Sequence, residues 1–242
     1  MPDVHLDLSL PELAGRRSSQ GKLLDAGCCN IRGGPMFDRD ESFQIYSRPE
    51  GFLVDSWIQS TLGEFEFRCC FEFDEQWLPR RVAARGRSGD TRVDVSICAD
   101  LDAAHLTFSE ADGSAAQETL EFARGHLLDL EPSVIPMWAM TRRYDQQTGG
   151  EQSFFWAGRS LTRGFALQGG RTDIHLTEKS GQGDSFKFTE VLTGPDGAPF
   201  HVNFELENDV HGWLQGFTVR TPKTRVRGQR RRPVRQVPES QG

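Results

Sequence analysis

In Phe186-Lys187-Phe188-Thr189-Glu190-Val191-Leu192 the alternate residues Phe186, Phe188, Glu190 and Leu192 share one face of an extended strand, so a carboxyl stands in an apolar row. A charge on such a face is costly unless it is paired or put to use, and desolvation lifts the pKa of a carboxyl toward the range of a general acid or base. Two other stretches repeat the anomaly, with Arg163 in the row Arg163, Phe165, Leu167 and Gln215 in the row Trp213, Gln215, Phe217, Val219. Glu190, Arg163 and Gln215 form a candidate catalytic set in which Glu190 moves a proton while Arg163 or Gln215 holds a substrate oxygen. The plainer source of the same pattern is a barrel mouth, or a bulge that reverses the facing of a strand. Trp57, Trp138, Trp156, Phe165, Phe188 and Trp213 are the aromatic residues expected to wall a ligand site, although large aromatics serve equally as core.

Other groupings are weaker. His201, Asn203, Glu205 and Glu207 share one strand face and Asp173 and His175 another, which two neighbouring strands could bring together on a metal or a substrate proton. The solvated side of half-buried strands explains them as well. Phosphate-binding, dinucleotide-binding, zincin, nucleophile-elbow and EF-hand signatures are all missing from the sequence, so no cofactor and no metal is expected. Of the five cysteines, Cys28–Cys29 and Cys69–Cys70 are vicinal and point to opposite faces of a strand; with Cys98 they read as free thiols of a reducing compartment rather than a disulfide framework.

The elements that must position these residues are strands. In Glu64-Phe65-Glu66-Phe67-Arg68-Cys69-Cys70-Phe71-Glu72-Phe73 four Phe alternate with charged residues, the mark of a strand with one apolar face. Val93-Asp94-Val95-Ser96-Ile97 and Phe200-His201-Val202-Asn203-Phe204-Glu205-Leu206 repeat it. Turn chemistry at Arg48-Pro49-Glu50-Gly51, Arg87-Ser88-Gly89-Asp90, Ala111-Asp112-Gly113-Ser114, Gly181-Gln182-Gly183-Asp184 and Gly194-Pro195-Asp196-Gly197 separates the runs as hairpins do. About a dozen strands are predicted between residues 43 and 220. Residues 127–146 break the alternation and carry two prolines, and Ser133 there suits the cap of a short helical plug or lid. The fold class expected is all-β and mainly antiparallel, a curved sheet forming a closed or half-open lipocalin-like barrel able to hold one small ligand.

Three segments follow: an N-terminal extension over 1–41 with a short helix near Leu10 to Arg16, one barrel-like domain over 42–220, and a basic, disordered tail over 221–242. The net charge of −7 hides an asymmetry, because residues 220–242 hold eight Arg or Lys against one Glu, or +7, which leaves −14 for residues 1–219. An acidic body repels nucleic acid and acidic membranes, so neither specific nucleic-acid binding nor membrane insertion is expected. The start, Met1-Pro2-Asp3-Val4-His5-Leu6-Asp7, lacks the basic and apolar regions of a signal peptide, which points to the cytoplasm.

The run Phe71-Glu72-Phe73-Asp74-Glu75-Gln76-Trp77-Leu78-Pro79, then Asp112-Gly113, Leu128-Asp129-Leu130, Pro136-Met137-Trp138 and Phe154-Phe155-Trp156-Ala157-Gly158, resembles bacterial glycolipid-binding domain families and their relatives shaped like lipoprotein carriers. That resemblance, one of rhythm and aromatic placement over residues 42–220, implies a curved antiparallel sheet holding a lipid-like molecule on its concave face. Two functions remain open from the sequence. One is a cofactor-independent enzyme of isomerase, cyclase or lyase type acting on a small, largely apolar molecule with acid/base assistance. The alternative is a non-catalytic carrier of a lipid-like molecule.

Overall fold

The computed structural model describes residues 21–34, 38–99, 103–109, 115–121, 127–160, 167–193, 199–220 and 225–231. The first eight strands are β1 (Lys22–Arg32), β2 (Arg39–Arg48), β3 (Gly51–Ser60), β4 (Phe65–Phe73), β5 (Pro79–Ser88), β6 (Thr91–Ala99), β7 (Ala103–Ser109) and β8 (Ala115–Glu121). After β9 (Leu127–Glu131) comes one helix, α1 (Ile135–Arg143). Then follow β10 (Glu151–Ser160), β11 (Leu167–Ser180), β12 (Gly183–Thr193), β13 (Pro199–Asp209), β14 (Leu214–Arg220) and β15 (Arg225–Arg231).

All fifteen strands join one sheet in the order β8-β7-β6-β5-β4-β3-β2-β1-β15-β14-β13-β12-β11-β10-β9. Every pairing is antiparallel except β9 with β10, which is parallel. The sheet is strongly curved but not closed: the edge strand β9 comes to lie against β5, while β6 to β8 continue past the overlap. Hydrophobic alternation drives the curl. Phe65, Phe67, Cys69, Phe71 and Phe73 of β4, Phe43 and Ile45 of β2, Ile174 of β11, Phe186 and Phe188 of β12 and Phe217 of β14 all bury on the concave side. Full burial of each large side chain is worth about 1.5–3 kcal/mol, and rolling the sheet is what lets opposite strands share one core.

The expected boundaries move outward. β1 lies in the region read as an N-terminal extension, and β15 lies in the region read as a disordered basic tail; β15 is an interior strand, flanked by β1 and β14. Its inward residues are Val226, Gly228 and Arg230, with Arg225, Arg227, Gln229 and Arg231 turned to solvent. The basic residues thus follow the strand period, three outside and one paired inside. The helix expected near Leu10 to Arg16 and the rest of the tail lie outside the described residues.

The plug is α1. Arg142 and Arg143 in its last turn complement the helix dipole, while Trp138, Ala139, Met140 and Thr141 are buried. Trp138 packs edge-on to Trp77 at 4.9 Å and lies 5.9 Å from Trp213, and its indole N–H donates to Gly212 O at 3.0 Å. The Arg142 guanidinium lies 5.4 Å and 5.2 Å from the ring centres of Trp77 and Trp213. Asn208 donates to Thr141 Oγ1 at 2.8 Å, which fastens α1 to β13. Val134 holds the N-cap position, and Ser133 beside it caps through its side chain: its Oγ accepts the Ile135 N–H at 3.2 Å.

Candidate functional site

A second acceptor at the start of α1 comes from a distant strand. Glu41 of β2 is wholly buried on the concave face, and its Oε2 accepts the Val134 N–H at 2.9 Å, at the start of α1. Its Oε1 accepts from Ser133 Oγ at 2.6 Å and from Ser56 Oγ at 2.7 Å. Burial pushes the Glu41 carboxyl up, partly offset by those three donors and by the Arg39 guanidinium. Arg39, two residues away on the same strand, is deeply enclosed and feels both Glu41 and Glu131.

From Arg39 the charged groups continue through Glu131 to Asp129 and Glu190. Asp129 and Glu131 pair in parallel register with Gly158 and Ser160, so they share the inward face that carries the buried Trp156. Leu128 and Leu130 point the other way and are buried where β9 meets β5. Gly158 sits so close to the Asp129 backbone that any Cβ would collide with it, which fixes β9 tightly on β10. Glu190 lies opposite Thr172, and Thr172 opposite Phe154; Val202 completes this inward row across β13.

Asp129 and Glu190 each keep some accessible surface although protein surrounds them on most sides. Burial, then the charges of Asp129 and Glu131, push Glu190 up to about 8. Burial, then the charge of Glu131, push Asp129 up to about 7. Like charges in a poorly solvated place cannot all ionise at once, so this group holds protons at neutral pH. Trp156 adds a donor: it is 3% exposed, and its indole N–H is buried with no partner. The ring lies across Gly170 of β11, with Nε1 3.3 Å from where a Cβ would stand, so a larger residue there would push the ring by a few tenths of an ångström.

Of the residues singled out in the sequence, Glu190, Phe188 and Trp156 lie on the concave face of neighbouring strands. Gln215 does not join them. It sits at the bulge between β13 and β14 and donates to Asp209 Oδ2 at 3.3 Å, while Glu190 pairs with Val202, seven residues along β13 from Asp209 and roughly 20 Å away at a strand's rise. Trp138 and Trp213 belong to the plug. Trp57 is 49% exposed on the convex face, where its N–H donates to Glu66 at 3.2 Å. Arg163 and Phe165 lie outside the described residues. Sequence reasoning missed Glu41, Arg39, Asp129 and Glu131. Glu41 had a signal, since Glu41, Phe43 and Ile45 alternate as Phe188 and Glu190 do.

Among the described residues, His175 and His201 stand on the solvent side of their strands, away from these carboxyls. Among the described residues no group of three or more His, Cys, Asp or Glu is arranged to hold a metal ion, and no helix is long and apolar enough to cross a membrane.

A curved, mainly antiparallel sheet with a helical plug places the chain among β-barrel-like proteins. It is similar to a β-barrel-like protein of the domain of unknown function DUF1849 from Brucella abortus, with a TM-score of 0.54 and 8% identity over 87% of this chain and 98% of that one. A DUF1089 family protein from Pseudomonas aeruginosa matches at 15% identity over 80% of this chain and 89% of that one, with a TM-score of 0.43. No protein-family model and no curated protein matches the sequence.

Proposed function

We propose that the concave side of the sheet binds a small, largely apolar molecule and that Asp129 and Glu190 move protons on it without a cofactor. The observation that carries this reading is the pair of inward carboxyls on β9 and β12, close enough for the charge of Asp129 to act on Glu190 and raised to about 7 and about 8. Near neutral pH such a pair shares protons, so one member serves as base while the other serves as acid. A proton removed at one carbon and returned at another leaves the substrate's atoms unchanged in number, which makes an isomerase the simplest chemistry for this pair. Phe188, Phe154, Val202 and Trp156 supply an apolar wall. Positioned acid/base groups of this kind contribute roughly 10²–10⁴ in rate.

The test is to incubate the protein in D₂O with an apolar small-molecule extract of bacterial cells and follow deuterium incorporation by mass spectrometry. Protein-dependent labelling of one compound, lost in both Asp129→Asn and Glu190→Gln, is the expected result. Native mass spectrometry of freshly purified protein separates the alternative, since a stoichiometric lipid without any labelling identifies a carrier and overturns the enzyme.

A further inference from the structure

The ligand's own chemistry is written in two features of this face, and the inference rests on the binding reading above. The first is charge. Glu41, Glu131, Asp129 and Glu190 project from the concave face or the strand lying within it, and Arg39 is the cation among them. A carboxylate or phosphate brought here would enter a poorly solvated place that drives even its own carboxyls toward the uncharged form, so a further negative charge is disfavoured. Fatty acids and phospholipids therefore fit badly. The second is the Trp156 N–H, a donor that is buried and unpartnered. A buried donor left without an acceptor is destabilising by about 1–3 kcal/mol, so a ligand that brings an acceptor oxygen is selected over one that does not.

The two features lie close together in the sheet. Trp156 pairs with Gly170, and the indole rests across that glycine. Glu190 is opposite Thr172, two residues along β11 from Gly170 on the same face. A protonated carboxyl is itself a donor. The indole N–H and the Glu190 O–H thus flank the region in front of Gly170 and Thr172, while Asp129 approaches from β9 on the far side of Trp156. We infer that the ligand is an uncharged, mainly hydrocarbon carbonyl compound whose oxygen is held by Trp156 Nε1–H and the Glu190 carboxyl, with anionic lipids excluded. Two donors on one carbonyl oxygen would also stabilise the enolate formed when a base removes the neighbouring proton.

Three probes of equal length separate the terms: 2-nonanone, nonane and nonanoate, with binding read by headspace partitioning for the first two and equilibrium dialysis for the third, at pH 7. Wild-type protein should bind 2-nonanone at least tenfold more tightly than nonane, and nonanoate more weakly than the ketone by a similar factor or more. Trp156→Phe, which keeps an aromatic ring over Gly170, should remove most of the preference for ketone over alkane while leaving nonane affinity within about twofold. Circular dichroism confirms that the variant is folded. Nonanoate binding as tightly as the ketone overturns the inference and leaves the binding reading standing, as does an undiminished ketone preference in folded Trp156→Phe. If none of the three probes binds, the binding reading itself fails and the inference falls with it.

Discussion

Asp25 and Arg230 bury one carboxylate against one guanidinium, whereas Arg39 is set beside a line of four carboxyls, Glu41, Glu131, Asp129 and Glu190, on the same concave side. The first cluster is matched in charge: Arg230 Nη2 donates to Asp25 Oδ1 at 2.5 Å and to Ala26 O at 2.8 Å, Nη1 donates to Leu214 O at 3.2 Å, and the group lies over the Phe43 ring. Asp25 Oδ2 and Arg230 Nε are buried there without a partner. In the second, the carboxyls outnumber the cations among the described residues. A matched ion pair that ties β1, β14 and β15 together has a structural purpose, and its loss would be felt by the fold. An excess of buried carboxyls stabilises nothing by itself, and such violations of folding logic are expected where function has a use for them.

The contrast is tested most severely by removing residues 222–242, which takes away the whole of β15 and with it Arg230. β1 and β14 would each lose a hydrogen-bonded neighbour in the middle of the sheet, and Asp25 would be left alone. The truncated protein should be insoluble or show no cooperative thermal transition by circular dichroism. A variant melting within a few degrees of the full chain would show that β15 is dispensable and that the Asp25–Arg230 pair has no structural role.

Single substitutions sharpen the same point. Arg230→Leu strands the Asp25 carboxylate, and breaking a buried pair this way is destabilising by about 3–5 kcal/mol, read from urea unfolding. Asp25→Leu in the same chain should recover much of that loss, because an apolar pair of similar volume replaces the ionic one. Asp129→Asn should instead be neutral or stabilising at pH 8. Equal losses in Arg230→Leu and Asp129→Asn would erase the difference between the two clusters.

Period-2 alternation carried most of the fold into view, since strands such as β4 and β12 bury one face and solvate the other. β15 stayed hidden for a physical reason. Its inward positions are Val226, Gly228 and Arg230, so only one side chain in seven reads as hydrophobic, and its partner for Arg230 is Asp25, 205 residues away. Glu190 was legible because Phe186 and Phe188 flank it on its own strand. Asp129 was not, because its neighbours Leu128 and Leu130 are buried on the opposite face against β5, an overlap of sheet edges that no local pattern encodes. Gln215 was misplaced by the bulge between β13 and β14.

The smallest effect is the most specific to the carboxyl line, and its sign follows from proton linkage. Asp129 and Glu190 have folded-state pKa values of about 7 and about 8, above the values of 3.8 and 4.5 they would have without the fold. Groups raised on folding contribute stability that is fully present below their unfolded pKa and is lost as pH rises through the folded value. Each withdraws up to about 1.4 kcal/mol per pH unit across that window, from roughly pH 4 to 8. Glu41, also raised by burial, acts in the same direction. Asp38, Asp145 and Asp173 are lowered, by hydrogen bonds from backbone or side chains that outweigh desolvation, so their contribution is lost only as pH falls below about 4. Stability should therefore peak near pH 4–5 and decline toward pH 8. In Asp129→Asn the decline should be shallower for two reasons: one titrating group is gone, and the charge that holds Glu190 up is gone with it. Wild type and variant should unfold at similar urea concentrations at pH 5 and separate by pH 8, with the variant the more stable. A variant whose urea midpoint tracks the wild type at every pH would mean that Asp129 titrates in the folded protein as it does in water, and the carboxyl line would lose its claim to proton chemistry.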